Sequence, residues 1–395
     1  MRRIHVPHRA AAATTAATTT TGTRRRGLVA GVALATTTAL LALVPSAAGA
    51  AGNGNALDEA EHHGDGVFRM EVTSHDAGVE GVAARDDVER VAFDDVLADR
   101  TGEMTSCGDS CWEWPAHLDD ATRWYPQGLA GSRESRWAGA PDQDVLVSSW
   151  YRRAAPDDHA SVDSTLKFFA ADDGRYRNVP LRLPVEEGSG WGTEPLAIHA
   201  GGVAWAGPYL YVAATDGLFR FDLGDVMRDG DGYFLVPDRE YQGIDAGPYG
   251  QPRLSSVSTD WSGEPALVSA EYNADNVATE VVRWPLAADG ELVTSDGVVG
   301  SSYNFWVDAD SSIDKVQGVA AHEGLYFFSQ SPGELDTGRV GTQTDRSTIE
   351  SWGMTGSDTD VPEDLYAVPG QRMYGQTEER TDRRVFWRDW ADVMP

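Results

Sequence analysis

Cysteine and lysine are both scarce in this chain: 2 cysteines in 395 residues, and only Lys167 and Lys315 beside 30 arginines. Two cysteines cannot build a disulfide framework, and no HxxxH or second cysteine pair completes a zinc site. Cys107 and Cys111 bracket three residues, so in an exported chain they predict a disulfide closing a small loop. So short a loop gains little entropically and shapes a local turn. The spacing is not CxxC, and no thioredoxin-like pattern surrounds it. Also missing are a GxSxG nucleophile elbow, an HExxH helix, a Walker loop and a dinucleotide fingerprint after a strand. Helical periodicity is hard to find after Cys111.

Residues 1–50 read as an export signal rather than as part of the fold. Arg24, Arg25 and Arg26 precede a mildly apolar run over 27–44, and Ala48-Gly49-Ala50 offers a small-residue cleavage site. Three consecutive threonines make the run too weak for a membrane span, although an uncleaved anchor is the alternative. The stretch 23–29 (TRRRGLV) resembles a twin-arginine signal but lacks the usual following aromatic, so general secretory and twin-arginine export both stay open.

The whole chain carries 32 basic and 62 acidic side chains, and residues 1–50 hold six arginines and no acid. Cleavage therefore leaves 26 basic against 62 acidic groups, a net charge of −36. Such a surface repels phosphate backbones, so nucleic acid and anionic membranes are not expected partners. It attracts divalent cations or basic ligands, or it simply solvates an exported monomer. Residues 51–104 are acidic and poor in aromatics, which predicts a largely disordered lead-in. The texture changes at Cys111, after which Trp112, Trp114, Trp124 and Tyr125 crowd together. The globular domain is expected over 105–395.

The organising stretch is 196–223 (LAIHAGGVAWAGPYLYVAATDGLFRFDL), three short runs rich in Val, Tyr, Phe and Leu, each closed by Gly, Pro or Asp. The small residues of HAGGVA suit a crowded, inward-pointing start of a strand. Degenerate copies begin near 126, 199, 255, 316 and 362. The fold class expected is all-β, a β-propeller of five blades, with six blades or a β-sandwich as alternatives. The fifth unit has only three strands before the chain ends. A strand N-terminal to Pro126, within 112–125, should pair with 383–390 and close the ring.

In such a ring the starts of the innermost strands surround one mouth of the central channel. Those positions are Gln127, His199, Ser255 or Ser256, Gln317 and Glu363. Two amides, an imidazole, a hydroxyl and a carboxylate make a pocket for a polar ligand. His199 and Glu363 are a candidate catalytic acid–base pair if within hydrogen-bond reach, and the same set could hold calcium or another divalent cation. Alternatively, these groups bond one another and buried water and only seal the channel. The segment 225–233 (DVMRDGDGY) has calcium-loop spacing but lacks the closing Glu, so it reads as a solvated turn. Trp112, Trp114, Trp124 and Trp150 suit either a sugar-stacking surface or packing between blades.

The motifs 124–129 (WYPQGL), 199–203 (HAGGV) and 362–365 (PEDL) resemble those of a family of uncharacterised secreted actinobacterial β-propeller-like proteins. The resemblance spans about 270 residues, 124–390, through short motifs. It implies an exported propeller and no particular activity, and the arginine-for-lysine bias fits such a high-GC source. Five-bladed glutaminyl cyclotransferases share only a QG-like turn. The functional expectation is a secreted extracellular binding protein whose channel mouth takes a small polar molecule, a glycan or a cation. The alternative is an extracellular hydrolase or lyase using His199 and Glu363.

Overall fold

The computed structural model describes residues 62–63, 66–116, 123–155, 160–247, 250–272, 279–307, 315–330, 339–344, 348–352, 362–378 and 383–394. All of them fall in one compact unit, Asn53–Pro395. The export signal expected over 1–50 lies outside the described residues.

The fold is all-β, and its strands form five antiparallel sheets of four or more strands. Among the described residues the first strands of these sheets are β1 (Trp124–Gly131), β2 (Val203–Ala206), β3 (Ser256–Asp260), β4 (Val316–His322) and β5 (Pro362–Val368). Each then adds its next two strands in sequence order, as Val145–Arg153 and Ser161–Ala170 do beside β1. β1 packs against β2 and β5, β2 against β3, β3 against β4, and β4 against β5. Glycine is required where these strands meet. A Cβ on Gly128 would collide with the backbone of Gly202 and Val203, and one on Gly202 with that of Ser256 and Val257. The arrangement is propeller-like, with sheets meeting face to face through apolar layers.

One such layer joins Phe93, Phe168, Trp205 and Phe221 between the first and second sheets. Another joins Trp114, Trp150, Phe169, Tyr366 and Tyr374 between the first and fifth. Both faces of most strands are thus covered, which is why the runs read as nearly continuous apolar segments. Trp114 and Trp150 are buried in this packing, while Trp112 and Trp124 are half-buried at its margin.

Four of the five sheets also take in strands from the N-terminal side. His62–His63 pairs in the third sheet, Arg69–Ser74 in the second and Gly102–Glu103 in the first; Thr105–Ser106 and Cys111–Glu113 pair in the fifth. Cys111–Glu113 lies antiparallel to Arg384–Asp389, with Val385 opposite Trp112, as expected of the strand that completes the fifth unit. Cys107 and Cys111 form the expected disulfide beside this hairpin.

The expectation of a largely disordered lead-in over 51–104 fails for residues 66–104. Beyond the strands named, they form helices α1 (Asp76–Ala83) and α2 (Phe93–Ala98). Phe93, Val96 and Leu97 on α2 enter the layer between the first and second sheets. Their acidity misled because each element buries one narrow edge and exposes the rest. Asp229, in the calcium-like segment, is occupied by Arg182 at 2.5 Å within a hairpin of Met227–Asp229 and Gly232–Phe234. No helix of the described residues is long and apolar enough to cross a membrane.

Candidate functional site

Three of the five positions singled out in the sequence fall on β-bulges. The register slips between Pro126 and Leu129, between Val316 and Gly318, and between Pro362 and Leu365. Gln127, Gln317 and Glu363 are the residues that the slips displace, and a bulge re-aims the side chain it carries. Ser256 opens β3 without a bulge, fully buried, its hydroxyl without a hydrogen-bond partner. His199 lies off the innermost strands, in the segment before β2, because Gly201 and Gly202 already bond the end of the neighbouring strand. Gln127 is buried and donates to the carbonyl of Pro126 at 2.8 Å.

His199 and Glu363 both adjoin Tyr151. The His199 ring lies on Tyr151, centroids 4.2 Å apart. Glu363 is completely buried, and its carboxyl meets the carboxyl of Glu378. The charge of Glu363 is among the influences that raise the Tyr151 pKa.

Around this core sit groups not singled out in the sequence. Arg153 donates through Nε to the Tyr151 hydroxyl at 2.8 Å and through Nη2 to Glu378 at 3.3 Å. Its guanidinium lies 3.9 Å from the centre of the Tyr125 ring, and Arg383 covers the same ring at 5.0 Å. Tyr125 and Tyr151 are cross-strand partners with stacked rings 5.5 Å apart. These residues come from the start of a first strand, the end of a second or the approach to a third. In an antiparallel sheet those three places share one end, a signal available in the sequence once the repeat was recognised.

Burial sets the electrostatics. It holds the Glu363 carboxyl well above the usual range, helped by the charge of Glu378 and then of Asp364, and opposed by Arg153. Glu363 thus lies beside Glu378, which pairs with Arg153 at 3.3 Å. Burial likewise raises the Tyr151 hydroxyl, with Glu378 adding to it and Arg153 opposing. Two arginines at the cluster disfavour the divalent cation expected there. Among the described residues no group of three or more His, Cys, Asp or Glu side chains is placed to hold a metal ion.

Asp364, next to Glu363, has a different task. Its buried carboxylate accepts the backbone N–H of Leu129 at 3.0 Å and of Leu365 at 2.9 Å. The amides of Val203 and Val319 favour its charged form as well, against the strong upward push of burial. One side chain thus faces amides of β1, β2, β4 and β5.

No protein-family model and no curated protein matches the chain. Among solved structures, it is similar to a GH43_1 enzyme from Xanthomonas citri at 12% identity and a TM-score of 0.39, covering 75% of this chain and 92% of that one. An aldose sugar dehydrogenase from Streptomyces coelicolor superposes at 14% identity and a TM-score of 0.35, covering 68% and 94%. A gluconolactonase from Xanthomonas campestris does so at 12% and 0.34, covering 85% and 89%. Likenesses this faint carry no argument for activity.

Proposed function

We propose that the five sheets are the blades of a five-bladed β-propeller closed by Cys111–Glu113, and that the cluster at the starts of its first strands binds a small polar ligand, a glycan being the class best suited. The observation that carries this reading is Glu363, a fully buried carboxyl on a β-bulge that meets Glu378 and faces Arg153. Buried polar groups that end on one another are costly to desolvate, and a hydroxyl-bearing ligand supplies both a donor and an acceptor to them. The Glu363 carboxyl, the Arg153–Glu378 pair and the unpartnered hydroxyl of Ser256 together offer donors and acceptors to such a ligand.

Glycan-array binding and calorimetry of the exported chain against mono- and oligosaccharides test this, with Glu363→Leu as the control. Binding that Glu363→Leu abolishes supports the site. Binding that survives the substitution places the ligand elsewhere, and no binding across the arrays refutes the glycan class.

The alternative, an extracellular hydrolase or lyase, draws on one specific feature: two neighbouring carboxyls, of which Glu363 is pushed up by burial while Glu378 pairs with Arg153. Such environments separate an acid from a carboxylate. In this version Glu363 donates the proton, with His199 as the candidate partner. Turnover of chromogenic glycosides, lost in Glu363→Gln, distinguishes it from binding alone. The reading also takes the chain to be an exported monomer of the actinobacterial family whose motifs it resembles. Mass spectrometry of the culture medium, with a mature terminus at Ala51, tests the export step.

A further inference from the structure

A second site lies on the flank of the first sheet, where a cavity of about 650 Å3 is lined by Trp124, Lys167, Tyr176, Arg177, Asn178 and Tyr233 among others. Lys167 stands on the strand Ser161–Ala170, in register between Ser148 and Asn178, and is only 3% exposed. It is one of two lysines in a chain that uses arginine 30 times. Arginine could hold a charge here but could never surrender its proton.

Burial presses Lys167 toward the neutral amine, and outweighs the amide oxygen and two aromatic faces beside it, which favour the ammonium. Its Nζ donates to Asn178 Oδ1 at 2.7 Å, and the same oxygen accepts the Thr165 hydroxyl at 2.9 Å, which fixes the amide. The nitrogen lies 4.9 Å from the centre of the Trp150 ring and 5.5 Å from that of Tyr176. No carboxylate pairs with it among the described residues, and burial alone pushes its pKa down to about 7. A desolvated amine without a counter-charge is the form in which lysine acts as a nucleophile.

We propose that this cavity is a carbonyl-capturing site, in which Lys167 forms an imine with the aldehyde of a small ring-bearing molecule. The Nζ lone pair adds to the carbonyl carbon, and the carbonyl π pair moves to oxygen. A proton passes from nitrogen to that oxygen, giving a carbinolamine. Loss of water then leaves the C=N bond, so nothing is oxidised or reduced. Asn178 takes an N–H of the amine and leaves its lone pair to the cavity. Trp124, Tyr176 and Tyr233 supply aromatic walls for the ring.

The near absence of lysine makes the test clean. The exported chain is incubated at pH 7 with 4-hydroxybenzaldehyde and cyanoborohydride, digested, and the reduced adducts are located by mass spectrometry. Lys167 should be labelled at least about tenfold faster than Lys315, because an ordinary lysine is almost wholly protonated at that pH. Its labelling should rise with pH around a midpoint near 7, and Lys167→Arg should lose that adduct while Lys315 still reacts slowly. Equal labelling of the two lysines in the native protein, or labelling of Lys167 only after unfolding, overturns the proposal. The wild-type comparison decides the matter even if the arginine variant fails to fold.

Discussion

The carboxylate of Asp364 accepts the backbone N–H of Leu129 across 235 positions of sequence, at 3.0 Å. Through that contact and the N–H of Leu365, one acidic side chain joins the first strands of the fifth and first sheets at the point where glycine lets backbones approach. Removing it leaves at least two buried amides without partners. Asp364→Ala should therefore lower stability by about 2–4 kcal/mol, and Asp364→Asn, which keeps an acceptor oxygen, by less. Urea unfolding measures both, and equal stability of all three proteins would show the amides to be satisfied otherwise.

Glu363 should behave in the opposite way. Glu363→Leu replaces a fully buried carboxyl, crowded by Glu378, with an apolar group of similar size, so stability should stay level or rise, by about 1–2 kcal/mol. Ligand binding at the cluster should vanish in the same variant. A large loss of stability would mean that the carboxyl seals the fold.

Glu280 gives the pH dependence. It accepts a hydrogen bond from Asn304 at 2.9 Å, and burial raises its pKa to about 8, from an unfolded value of 4.5. The folded protein holds that proton more tightly than the unfolded chain. Its contribution is complete below about pH 4.5 and lost progressively up to about pH 8. Glu280→Gln keeps the acceptor and cannot ionise, so its urea midpoint should fall less between pH 5 and 8 than that of the wild type. Identical slopes would assign the pH dependence to other groups.

A chain truncated to begin at residue 105 should not fold to the parent stability. It lacks Arg69–Ser74 and the side chains of Phe93, Val96 and Leu97 that fill the layer between two sheets. Losing several buried apolar groups at once costs well over about 5 kcal/mol. Thermal unfolding that matches the full exported chain would overturn this assignment.

Changing Cys107 and Cys111 together to serine should move the melting temperature by only about a few degrees, since the loop between them is so short. Collapse of the fold would instead make the hairpin that carries them a keystone of the fifth sheet.

Much of the fold was legible because small residues and turn signals recur at the starts of β1 to β5, where backbones must meet. The disulfide and the strand beside Arg384–Asp389 followed from spacing and from the missing fourth strand of the last unit. The edge strands over 66–104 were not legible, because Arg69–Ser74 buries only part of one face and reads as polar tether. At the candidate site, the burial of Glu363 came from its place in the repeat. Tyr151, Arg153 and Glu378 were missed because position in the innermost strands was the guide, while the cluster is completed by the ends of the strands beside them. Asp364 was hidden by its neighbour, as adjacent acids on a bulge give no hint which one meets backbone amides.

The outer strands carry a consequence for how this chain is made. Read from the N-terminus, the segments at 62–63, 69–74, 102–103 and 111–113 join the third, second, first and fifth sheets in turn. The part synthesised first thus has no partner until far later sequence exists, and its last station requires Arg384–Asp389, almost at the end. Pairings so distant in sequence delay the rate-limiting step and leave apolar sheet edges waiting meanwhile. Whichever sheets have already assembled, the fifth is complete only once Arg384–Asp389 has been synthesised and has met the segment made about 270 residues earlier.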